Sequence, residues 1–124
     1  MTDMTAKHVL LVCGGRDYTD RDRVFAELDA VIARGRIAFD TVRHGAQRGA
    51  DTLAGEWAKS RGYINDPWQA EWRRLGKAAG PIRNAAMIRD GAVVGCVAFP
   101  GRIGTPDMIK KCVQAGIPVL EVRR

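Results

Sequence analysis

Continuous apolar runs of five or six residues alternate along the chain with longer stretches whose apolar positions recur every three or four residues. His8 to Cys13 contains the run Val9-Leu10-Leu11-Val12-Cys13 and is followed by Gly14-Gly15, the pattern of a strand buried on both faces. Thr19 with Asp22 resembles a capping box, and Val24, Phe25, Leu28, Val31 and Ile32 then follow at helical spacing until Gly35 closes the helix. Phe39 to Arg43 predicts a second strand ending at His44-Gly45. Ala50, Leu53, Ala54, Trp57 and Ala58 share one face of a helix that stops before Gly62. Tyr63-Ile64 predicts a brief strand, and Asn65 to Gly80 carries no assignable pattern. Pro81 opens a helix that runs to Asp90, with Gly91 just past its end. Val93 to Phe99 is a second strongly apolar strand. Thr105-Pro106 supplies an N-cap and N1 pair for a helix with the face Met108, Ile109, Cys112 and Val113, which Gly116 ends; Ile117 to Val122 is the last strand.

Strands alternating with helices at this spacing predict an α/β fold, a single Rossmann-like domain over residues 1–124, with a mostly parallel sheet and helices on both faces. Residues 1–7 are expected to be flexible. In such sheets ligands bind beyond the carboxyl ends of the strands, where the strand order reverses.

Length and composition narrow the field. A chain of 124 residues, 46% of them hydrophobic, has the material for one buried core and does not read as disordered. The longest apolar run is far too short to span a membrane, and Asp3, Lys7 and His8 interrupt any signal peptide, so a cytoplasmic protein is expected. Cys13, Cys96 and Cys112 lie at wide spacings inside apolar segments, which reads as buried free thiols in a reducing compartment, with no metal and no cofactor expected. The net charge of +6 first suggests nucleic acid. The basic residues, however, are 15 arginines against 5 lysines, a bias that GC-rich coding also produces but that favours planar, bidentate recognition of particular anions.

The placement of those arginines decides more than their number. Gly14-Gly15-Arg16-Asp17, then His44-Gly45-Ala46-Gln47-Arg48-Gly49-Ala50-Asp51, then Pro100-Gly101-Arg102-Ile103-Gly104-Thr105, each follow a predicted strand and precede a predicted helix. All of these loops fall on the same edge of the sheet, where glycines admit a close ligand and helix starts offer unpaired N–H groups. With Arg16, Arg48 and Arg102 there, a phosphate or diphosphate ligand is expected, although glycines after strands also serve simply as tight turns. Neither G-x-G-x-x-G nor G-x-x-x-x-G-K-[ST] is present, which disfavours ordinary dinucleotide dehydrogenase and P-loop chemistry.

Gly14-Gly15-Arg16-Asp17, His44-Gly45 with Gly49-Ala50-Asp51, Gly80-Pro81-Ile82-Arg83-Asn84 with Met87, and Pro100-Gly101-x-x-Gly104-Thr105 together resemble the YspA-like branch of the SLOG superfamily, related to Smf/DprA and the LOG phosphoribohydrolases. The resemblance implies a Rossmann-like sheet, a nucleotide-derived ligand and a homodimer or larger homo-oligomer. The phosphoribohydrolases cleave the N-glycosidic bond of nucleoside monophosphates with an arginine from R-K-x-x-M and a glutamate from P-G-G-x-G-T-x-x-E. Here Arg83-Asn84-Ala85-Ala86-Met87 matches the first segment with asparagine for lysine, and Met108 stands where the glutamate is expected. Arg102 also replaces the second glycine. Methionine cannot stabilise an oxocarbenium-like state or position water.

The resulting first reading is a binder of an AMP-like or ADP-ribose-like anion, a sensor or sequestering protein. Its ligand-binding candidates are Gly14, Gly15, Arg16, Asp17, His44, Gly45, Arg48, Gly49, Asp51, Arg83, Asn84, Pro100, Gly101, Arg102, Gly104 and Thr105. A second reading is an N-glycosidase with Arg83 and a carboxylate relocated to Asp17, Asp51 or Asp107. A third, a DprA-like single-strand binder, is disfavoured because the arginines collect on one loop edge and no aromatics interleave with a basic stripe. For several candidates a structural role is equally available: Asp51 as a first-turn acid, His44 as a hydrogen-bonded histidine, Arg83 as a solvated helix arginine. Trp68 and Trp72, in the unassigned segment, either stack a base or pack their loop onto the domain.

Overall fold

The computed structural model describes residues 7–123, so most of the expected flexible lead at 1–7 lies outside the described residues. The strands are β1 (Val9–Cys13), β2 (Thr41–His44), β3 (Ile64–Pro67), β4 (Val93–Ala98) and β5 (Val119–Glu121). They form a wholly parallel sheet of order β3-β2-β1-β4-β5. The helices are α1 (Arg21–Arg34), α2 (Ala50–Arg61), the short α3 (Trp72–Leu75), α4 (Ala79–Arg89) and α5 (Gly104–Gln114), with a 3-10 turn at Gly76–Ala78.

β1 is apolar throughout because both of its faces are covered. Leu10 and Val12 pack with Val24 and Leu28 of α1 and Ala54 and Trp57 of α2, while Val9 and Leu11 pack with Met87 of α4 and Met108 and Cys112 of α5. Successive strands run outward from β1 through β2 to β3, and the chain then crosses to the far side of β1 to build β4 and β5. The order therefore reverses between β1 and β4, and the loops after those strands flank the crevice where such sheets bind ligands.

Several predicted boundaries shift, each for a local reason. Asp20, not Thr19, caps α1, its carboxylate accepting the Arg23 N–H at 3.0 Å. β2 begins at Thr41 rather than Phe39, whose ring stacks on Tyr63 with centroids 4.8 Å apart. β3 continues past Ile64 through Asn65, Asp66 and Pro67; it is an edge strand, so polar residues and a proline are tolerated and the apolar signal is weak. α3 has no buried residue, which is why Asn65 to Gly80 shows no helical periodicity. α5 starts at Gly104, so Thr105 lies buried in its first turn instead of capping it. Val113, placed by spacing on the inner face of α5, is 64% exposed.

One buried charge binds β2, β3 and α4 together. Arg43 occupies an inward position opposite Leu11, donating to Asp66 at 2.8 Å, to the Met87 carbonyl at 2.6 Å and to Asp90 at 3.1 Å. Its guanidinium lies 4.6 Å from the Trp68 ring centre, and Trp68 in turn donates from Nε1 to Asp66 at 3.0 Å. The three cysteines, remote in sequence, are free thiols gathered on the α4 and α5 side, with Cys13 Sγ 3.9 Å from Cys96 Sγ and Cys112 hydrogen-bonded to Cys96.

Candidate functional site

The glycine-bearing loops meet at the carboxyl edge and interlock. Gly15 N–H donates to the Pro100 carbonyl at 2.9 Å and Ala50 N–H to the Gly15 carbonyl at 3.2 Å. A Cβ on Gly14 would lie 2.5 Å from the Ala50 methyl, and one on Gly15 would lie 2.9 Å from the Pro100 carbonyl. Gly49, at φ 83°, backs onto the carbonyls of Gly15 and Arg16, and Gly101 onto Thr105 and the Gly15 N–H. At Gly15 and Gly49 the close neighbour that demands glycine is another loop, at Gly14 it is the start of α2, and Gly101 is pressed both by its own helix start and by the Gly15 loop. Gly104 differs, since a Cβ there would meet nothing within 4 Å.

The helix starts also differ. α1 is capped by Asp20. Ahead of α2, the N–H groups of Gly45 and Gln47 point to the Asp51 carboxylate and that of Ala46 to His44 Nδ1 at 3.0 Å. α5 has no side-chain cap, and among the described residues the backbone N–H groups of residues 101–105 find no protein acceptor. The partial positive end of α5 thus carries a row of donors without protein acceptors, on the loop that holds exposed Arg102 and that meets the loop of exposed Arg16 through the Gly15–Pro100 hydrogen bond.

Behind that edge lies a buried polar group. Asp51 is 5% exposed, and burial pushes its carboxyl up to about 6 against the opposing pull of the Gln47 N–H, the Arg83 charge and the Gly45 N–H. Arg83 donates from Nη1 to the carbonyls of Gly45 at 2.6 Å and Trp68 at 3.1 Å, and from Nε to Asn84 at 3.0 Å. Burial draws its guanidinium below the usual value while Asp51 and Cys13 pull the other way. Asn84 donates to the Gly104 carbonyl at 3.3 Å and to Asp107 at 3.0 Å, so adjacent residues of α4 hold the β2 loop and the start of α5.

The remaining candidates separate into engaged and exposed groups. Burial raises the Asp107 carboxyl, but bonds from Lys111 at 2.6 Å and from Asn84 hold it below the usual range. Because His44 Nδ1 accepts from Ala46, its proton sits on Nε2, which donates to Asn65 at 2.8 Å; burial lowers its pKa. Both ring nitrogens are therefore occupied within the fold. Asp17 and Arg48 form a pair at 3.3 Å, with side chains 82% and 74% exposed, worth little to stability. Met108 is buried in the apolar cluster on the α5 face, so the position of the phosphoribohydrolase glutamate points into the core.

Two shallow clefts open on this edge. One, of about 220 Å³, lies against Phe99, Gly101, Thr105, Pro106, Glu121 and Arg123. The other, of about 130 Å³, is formed by Gly45, Ala46, Gln47, Gln69, Ala70 and Trp72. Sequence reasoning missed Gln47 and Gln69 because an isolated glutamine carries no spacing signal. It missed Arg43 because a charge inside a strand resembles a surface position. The tryptophans part company: Trp68 packs against the α4 and α5 side, while Trp72 is 44% exposed.

Known proteins bear out the lineage. The model of the YspA, cpYpsA-related SLOG family matches residues 8–75, from β1 through α3. The chain is also similar to the Gene 61 protein of Mycobacterium phage D29, with 39% identity over 118 residues, covering 90% of this chain and 93% of that protein. With the sheet, its reversed strand order and the interlocked glycine loops, these matches show that the chain belongs to the YspA, cpYpsA-related SLOG family.

Proposed function

We propose that the protein binds the phosphate of a nucleotide-derived ligand, of the AMP or ADP-ribose kind, on the uncapped loop and helix start at residues 101–105, and acts as a sensor or sequestering protein. The observation that carries this reading is the row of N–H groups without protein acceptors, on the loop that holds Arg102 and adjoins the loop of Arg16, at the point where strand order reverses. SLOG membership favours a nucleotide over other anions. Binding without cleavage is favoured by the buried Met108 and by Asp107, whose oxygens are held by Asn84 and Lys111.

Calorimetry with AMP and ADP-ribose tests the reading. Arg102→Ala and Arg16→Ala each weaken binding; unchanged affinity in both, or failure of both nucleotides to bind the native chain, overturns it. Native mass spectrometry of the same sample reports any co-purifying ligand and whether the chain forms the homodimer that its family resemblance implies.

A second reading, an N-glycosidase, is favoured by Asp51, a buried carboxyl raised to about 6 and acting on the charge of Arg83, which suits general acid or base work. Release of free base from AMP by the native chain, lost in Asp51→Asn, would establish that activity instead.

A further inference from the structure

We infer that the cleft at Trp72, Gln47 and Gln69 receives the base of the bound nucleotide and that it selects an amino-bearing base, adenine in particular; this rests on the phosphate-binding reading above. The cleft and the uncapped loop are linked through α4. Arg83 holds the carbonyl of Gly45, which lines the cleft, while its neighbour Asn84 holds the carbonyl of Gly104, where the open helix start begins. A ligand with its phosphate on residues 101–105 thus has the cleft across the Arg83-Asn84 pair.

The lining has the chemistry of base recognition. Trp57 stacks on Tyr63 with centroids 5.3 Å apart and Trp68 lies under the Arg43 guanidinium, but the ring of Trp72 has no aromatic or cationic partner among the described residues. The edge of its indole lies against α4, for a Cβ on Gly80 would come within 3.2 Å of Cη2, and the residue is 44% exposed. An exposed indole at a cleft is a stacking platform. The carboxamides of Gln47 and Gln69 have no protein partner among the described residues. Each presents a donor and an acceptor side by side, which matches the amino group and adjacent ring nitrogen of adenine. On the edge that carries N7, where adenine offers its amino group beside an acceptor nitrogen, a 6-oxo purine presents two acceptors, O6 and N7, and satisfies only half of that pattern. The larger cleft has a buried Phe99 and the Glu121 carboxylate but no exposed ring, so it offers a base less.

Calorimetry with ribose 5-phosphate, AMP and IMP reads the subsite separately from the phosphate site. The native chain binds AMP more tightly than IMP, and both more tightly than ribose 5-phosphate. Trp72→Ala lowers AMP affinity at least about fivefold while leaving ribose 5-phosphate unchanged. Trp72→Phe, which keeps a ring, restores most of the loss, and the double variant Gln47→Ala/Gln69→Ala makes AMP and IMP equal. AMP affinity unchanged in Trp72→Ala, or ribose 5-phosphate affinity falling in step with it, refutes the subsite. If the native chain binds ribose 5-phosphate and AMP equally, the base subsite fails and the phosphate reading stands; if it binds neither, the phosphate reading fails and the subsite with it.

Discussion

Asp51→Asn turns the buried carboxyl into a group that cannot ionise but keeps a carbonyl oxygen for the Gln47 and Gly45 N–H groups. In the folded chain burial raises this carboxyl to about 6, from an ordinary value of 3.8. Between those values the native state holds a proton that the unfolded chain has lost. The contribution of Asp51 to stability is therefore greatest below the lower value, falls as pH rises to the upper one, and is level beyond it. A shift of about two units corresponds to about 3 kcal/mol. Urea denaturation of the native and Asp51→Asn proteins in steps from pH 4 to 7.5 measures it. The variant's stability relative to the native chain grows by about 2.4 kcal/mol across that range, the rest of the effect lying below pH 4. Asp29, Asp90 and Asp107, whose carboxyls are held below their usual range, lose stabilisation in acid, but both proteins carry them and they cancel in the difference. Any fixed cost of an amide facing Arg83 shifts the offset and not the slope. A difference flat with pH would show that Asp51 is charged and hydrated throughout, and would refute the burial argument.

Two further substitutions probe the loop edge and the core. Gly49→Ala at φ 83° sets a Cβ against two backbone carbonyls, whereas Gly62→Ala at φ 81° meets open space. Thermal melts should show the first costing about 3 kcal/mol or more and the second about 1 kcal/mol; equal losses would contradict the interlocked loops. Met108→Glu restores the phosphoribohydrolase residue but buries a carboxylate among Val9, Leu11 and Met87. It should destabilise the chain by about 3 kcal/mol or more and release no base from AMP, while a stable variant that cleaves AMP would refute the placement of that position in the core.

What the sequence revealed tracks the physics of each element. β1 and β4 were legible because burial on two faces leaves a continuous apolar run, and α1 and α2 because a single buried face imposes helical spacing. β3 and α3 were not, since an edge strand and a helix with no buried residue impose no pattern. The convergence of the Gly14, Gly45 and Gly101 loops followed from topology alone. The partners of those glycines did not: only in three dimensions is it evident that Gly49 faces Gly15 and that Gly104 faces nothing. Likewise the hydrogen bonds occupying His44, Asn84 and Asp107 join residues up to 23 positions apart.

Amide spectra of isotope-labelled protein titrated with AMP observe the backbone donors of the α5 start directly. Phosphate binding there shifts the N–H resonances of Gly101, Arg102, Ile103, Gly104 and Thr105 together, and they saturate with one affinity. Shifts confined to the start of α2, where those donors already have protein acceptors, or no saturable shift in residues 101–105, would contradict it.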